Sequence, residues 1–159
     1  MDFPNVIELR QQLLGESATA LGSDLLEEDW LSRIASEITP ETQVLITIEG
    51  VFAYFTLDQI QLLLEHLHRY FAGRCVLVFD ALSSFWAGRS KMHDTLKHME
   101  ATFVGGIDSE ADILRLLPQA QFERKKAVVD LMAEVWWVAH LMQLTKKMRE
   151  STQIFTFRL

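Results

Sequence analysis

The chain has 159 residues, and its 22 acidic side chains outnumber 15 basic ones for a net charge of −7. Hydrophobic residues make up 49% and charged residues 23%, which excludes a disordered chain, because the apolar content can offset the entropy of ordering. A single cysteine, Cys75, excludes a disulfide framework, and the acidic balance argues against a protein that coats nucleic-acid phosphates. The length suits one domain. Residues 1–5 lack the basic start and apolar core of a secretory signal. The most apolar long stretch, 128–144, carries Asp130, Glu134 and His140 and falls short of the roughly 20 apolar residues a bilayer span needs. The expected location is the cytoplasm, with no membrane or nucleic-acid partner.

In chain order, Pro4–Leu14 reads as a short helix. Proline suits its first position, Val6, Leu9 and Leu13 form an apolar stripe, and Gly15 can end it. Glu27, Glu28 and Asp29 place negative charge at the start of a second helix, with Trp30, Leu31, Ile34 and Ile38 on its inner face. Val44–Ile48 is a short β-branched run, apolar on both faces, as expected for a strand of a parallel sheet covered on both sides. Thr56 and Gln59 form a capping box before a strong helix, whose inner face is Leu57, Ile60, Leu64, Leu67 and Phe71 and whose stop is Gly73. Residues 75–79 are a second apolar strand closed by Asp80. Residues 44–80 therefore read as strand, helix, strand, a unit that places its two strands parallel with a right-handed crossover. Helices are expected over 91–101 and 108–117, the latter ended by Pro118, and a charged strand over 120–128. A helix over 129–148 with Met132, Val135, Trp136 and Ala139 inward, and a closing strand over 152–159, complete an α/β chain with a mostly parallel sheet.

In such sheets ligands bind beyond the carboxyl ends of the strands, which selects Glu49-Gly50 and Asp80. Glu49 can accept hydrogen bonds from a ligand's hydroxyls or amines while Gly50 lets the backbone come close; the alternative is a solvated loop and a plain turn. Asp80 after an apolar strand suggests a magnesium-holding acid, but the chain has no G-x-x-x-x-G-K-[ST], which favours a strand-end carboxylate in a loop. Gly105-Gly106 stands without a G-x-G-x-x-G pattern and reads as a turn. His66 and His68, and His93 and His98, have the wrong spacing for shared ligation on a helix, so no metal site is expected. Ser83-Ser84 lacks a nucleophile-elbow context and reads as loop. Trp136-Trp137 reads as core and interface, and Lys125-Lys126 with Lys146-Lys147 as solvated faces. These residues describe part of a ligand-binding α/β sheet, with a small α/β nucleotide binder as one option.

Several segments together resemble the leucine carboxyl methyltransferase superfamily, in particular its bacterial tetracenomycin-type polyketide O-methyltransferases. The opening Asp2-Phe3-Pro4-Asn5-Val6-Ile7-Glu8-Leu9-Arg10 resembles the family's D-x-P-x-V-I segment. Ser23-Asp24-Leu25-Leu26 followed by Trp30-Leu31 resembles its D-L…W-L segment. Ile48-Glu49-Gly50-Val51-Phe52-Ala53-Tyr54-Phe55 resembles its A-E-G-V-L-x-Y-L signature, and Phe79-Asp80 with the terminal Phe155-Thr156-Phe157-Arg158-Leu159 also fits. The resemblance implies the C-terminal portion of a Rossmann-like class I methyltransferase fold that uses S-adenosylmethionine for O-methyl transfer to a small-molecule acceptor. It implies that Asp2 holds the cofactor's ribose hydroxyls, that Asp24 and Leu25 lie beside the adenine, that Glu49 and Gly50 line the cofactor pocket, and that Tyr54 sits on the substrate side. It identifies no general base, since methyl transfer depends chiefly on positioning.

In the family, the first strand, the glycine-rich cofactor loop, the second strand and the helical cap precede the D-x-P segment. The expectation is thus a single partial methyltransferase domain over 1–159, truncated, with weakened cofactor binding and doubtful activity by itself. Val44–Ile48 would pair with the missing first strand, so an exposed apolar edge is expected there. The alternative to an enzyme is a non-catalytic interaction module that self-associates through that edge.

Overall fold

The computed structural model describes residues 1–15, 19–87 and 102–159. Helix α1 (Pro4–Leu14) and helix α2 (Asp29–Glu37) lead into strand β1 (Val44–Ile48), a 3-10 turn (Phe52–Tyr54), helix α3 (Leu57–Phe71) and strand β2 (Cys75–Leu82). A second 3-10 turn (Ser84–Trp86), helix α4 (Glu110–Leu116), strand β3 (Gln121–Ala127), three short helices α5 (Val128–Met132), α6 (Ala139–Met142) and α7 (Lys146–Arg149), and strand β4 (Thr152–Arg158) follow. The helix expected over 91–101 lies outside the described residues.

The strand–helix–strand unit is present as read. The β1 and β2 strands run parallel in register from Val44 beside Cys75 to Ile48 beside Phe79. Helix α3 crosses between them, begun by the Thr56 capping box: Gln59 N donates to Thr56 Oγ1 at 3.3 Å and Thr56 N to Gln59 Oε1 at 2.9 Å. The expected mostly parallel sheet is instead mixed. Its order is β1-β2-β4-β3, and both the β2–β4 and β3–β4 pairs are antiparallel. Gln153, Phe155 and Phe157 are buried while Thr152, Ile154 and Arg158 are half-exposed, so one face of β4 lies on the core, with Thr156 also buried on the other face.

The core lies on one face of the sheet. Trp30 and Leu31 of α2, Ile60, Leu63, Leu64, Leu67 and Phe71 of α3, and Ile113 of α4 pack against Leu77, Phe79, Phe155 and Phe157. Leu57, expected inward, is exposed. The opposite face is covered beside β3 and β4 by α5 and left open at β1, where Leu45 is 67% exposed. The expectation of a β1 covered on both faces therefore fails: this strand sits at the sheet edge, and no element packs over its second side among the described residues. Strand β2 also runs past Asp80 to Leu82 rather than closing there.

Two helical readings need correction. In α1 only Ile7 is buried, so the Val6, Leu9 and Leu13 stripe faces outward. The long helix expected over 129–148 is three short pieces. Thr145 adopts an extended backbone (φ −122°, ψ 134°) between α6 and α7, and Val135 and Trp136 are exposed while Ala139 is buried. Clustered Val and Trp have modest helix propensity, and the connection must return the chain to the β4 position beside β3.

A polar knot fastens α2 to the end of α3. The Glu28 carboxylate accepts from Arg69 Nη1 at 2.8 and 3.0 Å and from Tyr70 OH at 3.1 Å, and the buried His66 places Nε2 3.1 Å from it. Desolvation pulls the Glu28 carboxyl upward, but hydrogen bonds from Tyr70 and Arg69 and the Arg69 charge outweigh it and hold the pKa below the ordinary 4.5. A depressed folded pKa means the contribution is fully present above the unfolded value and lost as pH falls through the folded one. Urea unfolding from about pH 6 to about pH 3 should show a falling midpoint, and Glu28→Gln should lower the midpoint at neutral pH and flatten that acid limb. An unchanged acid limb in the variant would remove Glu28 from this role.

Candidate functional site

The carboxyl end of β1 opens into a cleft of about 300 Å³. Its walls come from three separate stretches: Met1, Asp2 and Phe3; Ser23, Asp24, Leu25 and Trp30; and Ile46 to Glu49 with Val51 and Phe55. Of the sequence-predicted site residues, Asp2, Asp24, Leu25 and Glu49 are brought together here. Gly50 and Tyr54 do not line it.

Local structure holds each group. Asp2 is placed by a short parallel bridge to Gly22, in which Asp2 N donates to Leu21 O at 3.2 Å and Ser23 N to Asp2 O at 3.0 Å. Gly22 allows that approach, since a Cβ there would lie 2.9 Å from Pro4 Cα. The Asp2 side chain accepts from Phe3 N at 2.8 Å. Asp24 Oδ1 accepts from Leu26 N at 2.9 Å, an Asx-type turn, and Trp30 Nε1 donates to Leu25 O at 3.2 Å. The bridge and the indole together fix the 21–26 loop over the end of β1.

Glu49 leaves β1 just where Gly50 turns the chain with φ +67°, a conformation that favours glycine. Gly50 N donates to Asp80 Oδ1 at 2.6 Å. Asp80 lies next to Phe79, the register partner of Ile48, so a carboxylate on the neighbouring strand fastens the turn that carries Glu49. This role of Asp80 is the functional feature the sequence reading missed. Two acids at matching ends of parallel strands, Glu49 and Asp80, were its only trace.

Tyr54 lies on the 3-10 turn after Gly50, partly exposed, with its ring centroid 5.6 Å from that of Phe103. Gly105-Gly106, read as a turn, is instead a close-packing site. Val104 N and Gly105 N donate to Ala53 O at 2.9 and 3.2 Å, and a Cβ on Gly105 would fall 2.1 Å from Phe55 O. One on Gly106 would fall 2.4 Å from Ser84 Cα. The two glycines thus let the 102–108 strand of chain lie against both 3-10 turns.

A smaller cavity of about 160 Å³ lies past the end of β2, among Ser83, Ser84, Asp108, Lys147 and Gln153. Ser84 gives both N and Oγ to Asp108, at 2.9 and 2.5 Å, so that carboxylate serves the loop. Burial pushes the Cys75 thiol up to about 11, which makes it a core residue and not a nucleophile. Among the described residues no cluster of His, Cys, Asp and Glu could hold a metal ion, and none of their helices is long and apolar enough to cross a membrane.

The main cleft is chemically one-sided. Three carboxylates, Asp2, Asp24 and Glu49, line it with no Arg or Lys beside them, Ser23 and Thr47 add hydroxyls, Met1 brings the chain's amino terminus, and Leu25, Trp30, Ile46, Val51 and Phe55 supply apolar surface. Ionised carboxylates only accept hydrogen bonds. The cleft therefore suits a ligand with hydroxyl or cationic donors and a flat apolar part, and its size lies at the low end of the roughly 300–1,000 Å³ usual for such sites.

No protein-family model matches the sequence, and no characterised protein matches it in a sequence search. Solved structures do. An SAM-dependent methyltransferase from Anabaena variabilis ATCC 29413 aligns over 98% of this chain and 64% of its own length, with a TM-score of 0.59 and 13% identity. A DUF574 family protein from Streptomyces avermitilis MA-4680 aligns over 99% of this chain and 63% of its own (TM-score 0.56, 14% identity). OxaC, solved in complex with SAH and oxaline, aligns over 99% of this chain and 34% of its own (TM-score 0.55, 14% identity). At these identities the likeness is one of fold, and the chain spans less than two thirds of each of these structures.

The Asp80–Gly50 bond yields a direct test. Asp80→Ala should cost about 0.5–1.5 kcal/mol, the usual net worth of a hydrogen bond. The Gly50 amide should lose its protection from hydrogen exchange while amides in the middle of α3 keep theirs. Unchanged Gly50 exchange would show that the turn holds without Asp80.

Proposed function

We propose that this chain forms the cofactor-facing part of an S-adenosylmethionine-dependent methyltransferase that transfers a methyl group to an oxygen of a small molecule. The observation that carries this reading is the acid-lined cleft at the carboxyl end of β1, where Asp2, Asp24 and Glu49 meet an apolar wall. S-adenosylmethionine offers ribose hydroxyls, an ammonium, a cationic sulfonium and a flat adenine, so its donors and its apolar ring both find partners there. Glu49 and Asp2 would accept from hydroxyl or ammonium groups, Asp24 and Leu25 would flank the adenine, and Gly50 would hold Glu49 in place through its bond to Asp80. The cofactor supplies an electrophilic methyl group, and the chain's contribution is to orient it. Tyr54, partly exposed on the turn beyond Gly50, would face the acceptor. The fold likeness supports the reading, as does the order of the three sequence segments that resemble the carboxyl methyltransferase superfamily. A small-molecule acceptor fits the bound oxaline of OxaC.

The part of the neighbours' length that this chain does not span bears on affinity. The ligand's carboxylate needs donors, and the cleft walls offer no Arg or Lys for it. Binding by this chain is therefore expected to be weak, and turnover to require more of the protein than these residues.

A second reading, an interaction module without catalysis, is favoured by one observation: β1 is an edge strand with Leu45 67% exposed. Such an edge offers unpaired backbone groups to another strand.

Calorimetry and amide chemical-shift mapping with S-adenosylhomocysteine separate the two. Binding should perturb the amides of Asp2, Asp24 and Glu49, and Glu49→Gln or Asp2→Asn should weaken it about tenfold, as expected for loss of a charge-assisted hydrogen bond. No heat and no shift changes at millimolar ligand would leave the interaction module.

A further inference from the structure

We propose that the cavity between the second face of the sheet and α5 is a binding site for a small phosphomonoester with an apolar body. The cavity holds about 240 Å³ and is lined by Val78 of β2, Arg124 and Lys126 of β3, Ile154 and Thr156 of β4, and Leu131 of α5. The sheet register explains how these side chains meet. Val78 pairs with Thr156 and Thr156 with Arg124, so the three form one row across β2, β4 and β3. Ile154 and Lys126 pair two residues along, in the next row of the same face.

A β-bulge delivers the two cations. The register of β3 against β4 shifts between Phe122 and Arg124. Unbroken pairing onward from Phe122 beside Phe157 would set Glu123 opposite Thr156 and Lys125 opposite Ile154. The extra residue brings Arg124 and Lys126 to those positions instead, the kind of re-aiming for which bulges are used. Glu123 then pairs with Arg158 at 2.7 Å and Lys125 with Glu110 of α4 at 2.9 Å, whereas among the described residues no acid forms an ion pair with Arg124 or Lys126.

The cavity's polar groups are unspent donors. Thr156 is only 4% exposed, and its Oγ1 accepts from Arg124 Nε at 3.4 Å. Among the described residues its own proton has no acceptor, and both Arg124 Nη groups and Lys126 Nζ lack partners. A buried hydroxyl is normally hydrogen-bonded in full, so this one is set for an incoming acceptor. Two cations and a hydroxyl match the roughly two negative charges and three acceptor oxygens of a phosphate ester. A carboxylate, with a single charge, would leave one cation unbalanced. Val78, Ile154 and Leu131 give an apolar body its surface. The nearby acids are engaged elsewhere. Asp130 feels the Lys126 charge but holds Arg149 at 2.7 Å, and Asp80, in the row of Ile154 and Lys126, accepts from Gly50 N. None of these groups lines the β1 cleft, so the inference stands apart from the proposed function.

Calorimetry and amide chemical-shift mapping on the full chain, with phenyl phosphate as the probe, test it. Saturable binding should shift the amides of Arg124, Lys126, Leu131 and Thr156 and leave those of Asp2, Asp24 and Glu49 in place. Inorganic phosphate, which lacks the ring, should bind about tenfold more weakly, and benzyl alcohol, which lacks the charge, should not bind. Arg124→Gln and Lys126→Gln should each weaken phenyl phosphate about tenfold with unchanged circular dichroism, the loss of one charge-assisted hydrogen bond. Lys125→Gln, on the opposite face of β3, should leave the affinity unchanged. No saturable binding at millimolar phenyl phosphate would overturn the proposal, as would shifts confined to the β1 cleft. So would a Lys125→Gln effect equal to that of Lys126→Gln, which makes the attraction a diffuse one of charge. Inorganic phosphate binding as tightly as phenyl phosphate would remove the apolar part of the site and the proposal with it. Flotation with phosphatidic-acid vesicles in the absence of phenyl phosphate binding would overturn it in favour of a lipid surface.

Discussion

The ring of Phe79 is the point on which the molecule turns. It sits on β2, between β1 and β4, fully buried, with centroids 4.6 Å from Phe52, 5.5 Å from Phe155 and 6.1 Å from Phe157. Each such pair adds about 0.5–1.5 kcal/mol beyond area burial, so the cluster ties three parts of the chain with strength that a single contact lacks. Phe155 and Phe157 seat the C-terminal strand. Phe52 belongs to the turn that follows Gly50, so the same cluster sets the height of that turn over the sheet. One residue along, Asp80 points to the other side of β2's pleat and accepts from Gly50 N. The two-residue period of one strand thus does two things: Phe79 anchors the turn from below, and Asp80 fastens its backbone.

Much of this was legible because it is local. The Thr56–Gln59 capping box, the apolar spacing of α3 and two β-branched runs on either side of it specify the parallel unit with little help from the rest of the chain. Readings failed where tertiary context decides. Over the apolar run after residue 128, the reading set Val135 and Trp136 inward with Ala139, but only Ala139 is buried, because the helix breaks before it. The α1 stripe fails similarly: Val6, Leu9 and Leu13 have helical spacing, but Ile7 alone is buried against the rest. The mixed sheet had no local cue: Ile154 and Phe155 stand side by side in β4, so strand direction was decided by the strand's place beside β2 and β3.

The site divides along the same line. Glu49 follows from the rule that ligands bind at strand ends. Asp2 and Asp24 do not, since each lies in an irregular segment, and only a family resemblance singled them out. What gathers them is geometry that no spacing rule contains: the Asp2–Gly22 bridge and the Trp30 indole bond carry two distant loops over β1. The gathered carboxylates only accept hydrogen bonds, so a donor-rich or cationic ligand is the complement they suit. An acid-rich cleft held by backbone bridges is therefore poised for such a ligand, which is the physical content of the proposed cofactor assignment.

The strand order also separates the two surfaces that remain open. The cleft lies at β1, one edge of the sheet, whereas the α5–α7 segment joins β3 and β4 at the other. Adjacent strands lie about 4.8 Å apart, so the two to three steps from β1 to β4 and β3 keep the two roughly 10–14 Å apart at the level of the strands alone. The core helices α2 to α4 pack on one face, and α5 packs beside β3 and β4, leaving β1 uncovered on its second side. The exposed Trp137 side of the α5–α7 segment thus lies at the opposite end of the strand order from the cleft and the β1 edge. A ligand at Glu49 would therefore load only the β1 end of a sheet whose close-packed centre, the Phe79 cluster, has little freedom to pass that load on to the α5–α7 end.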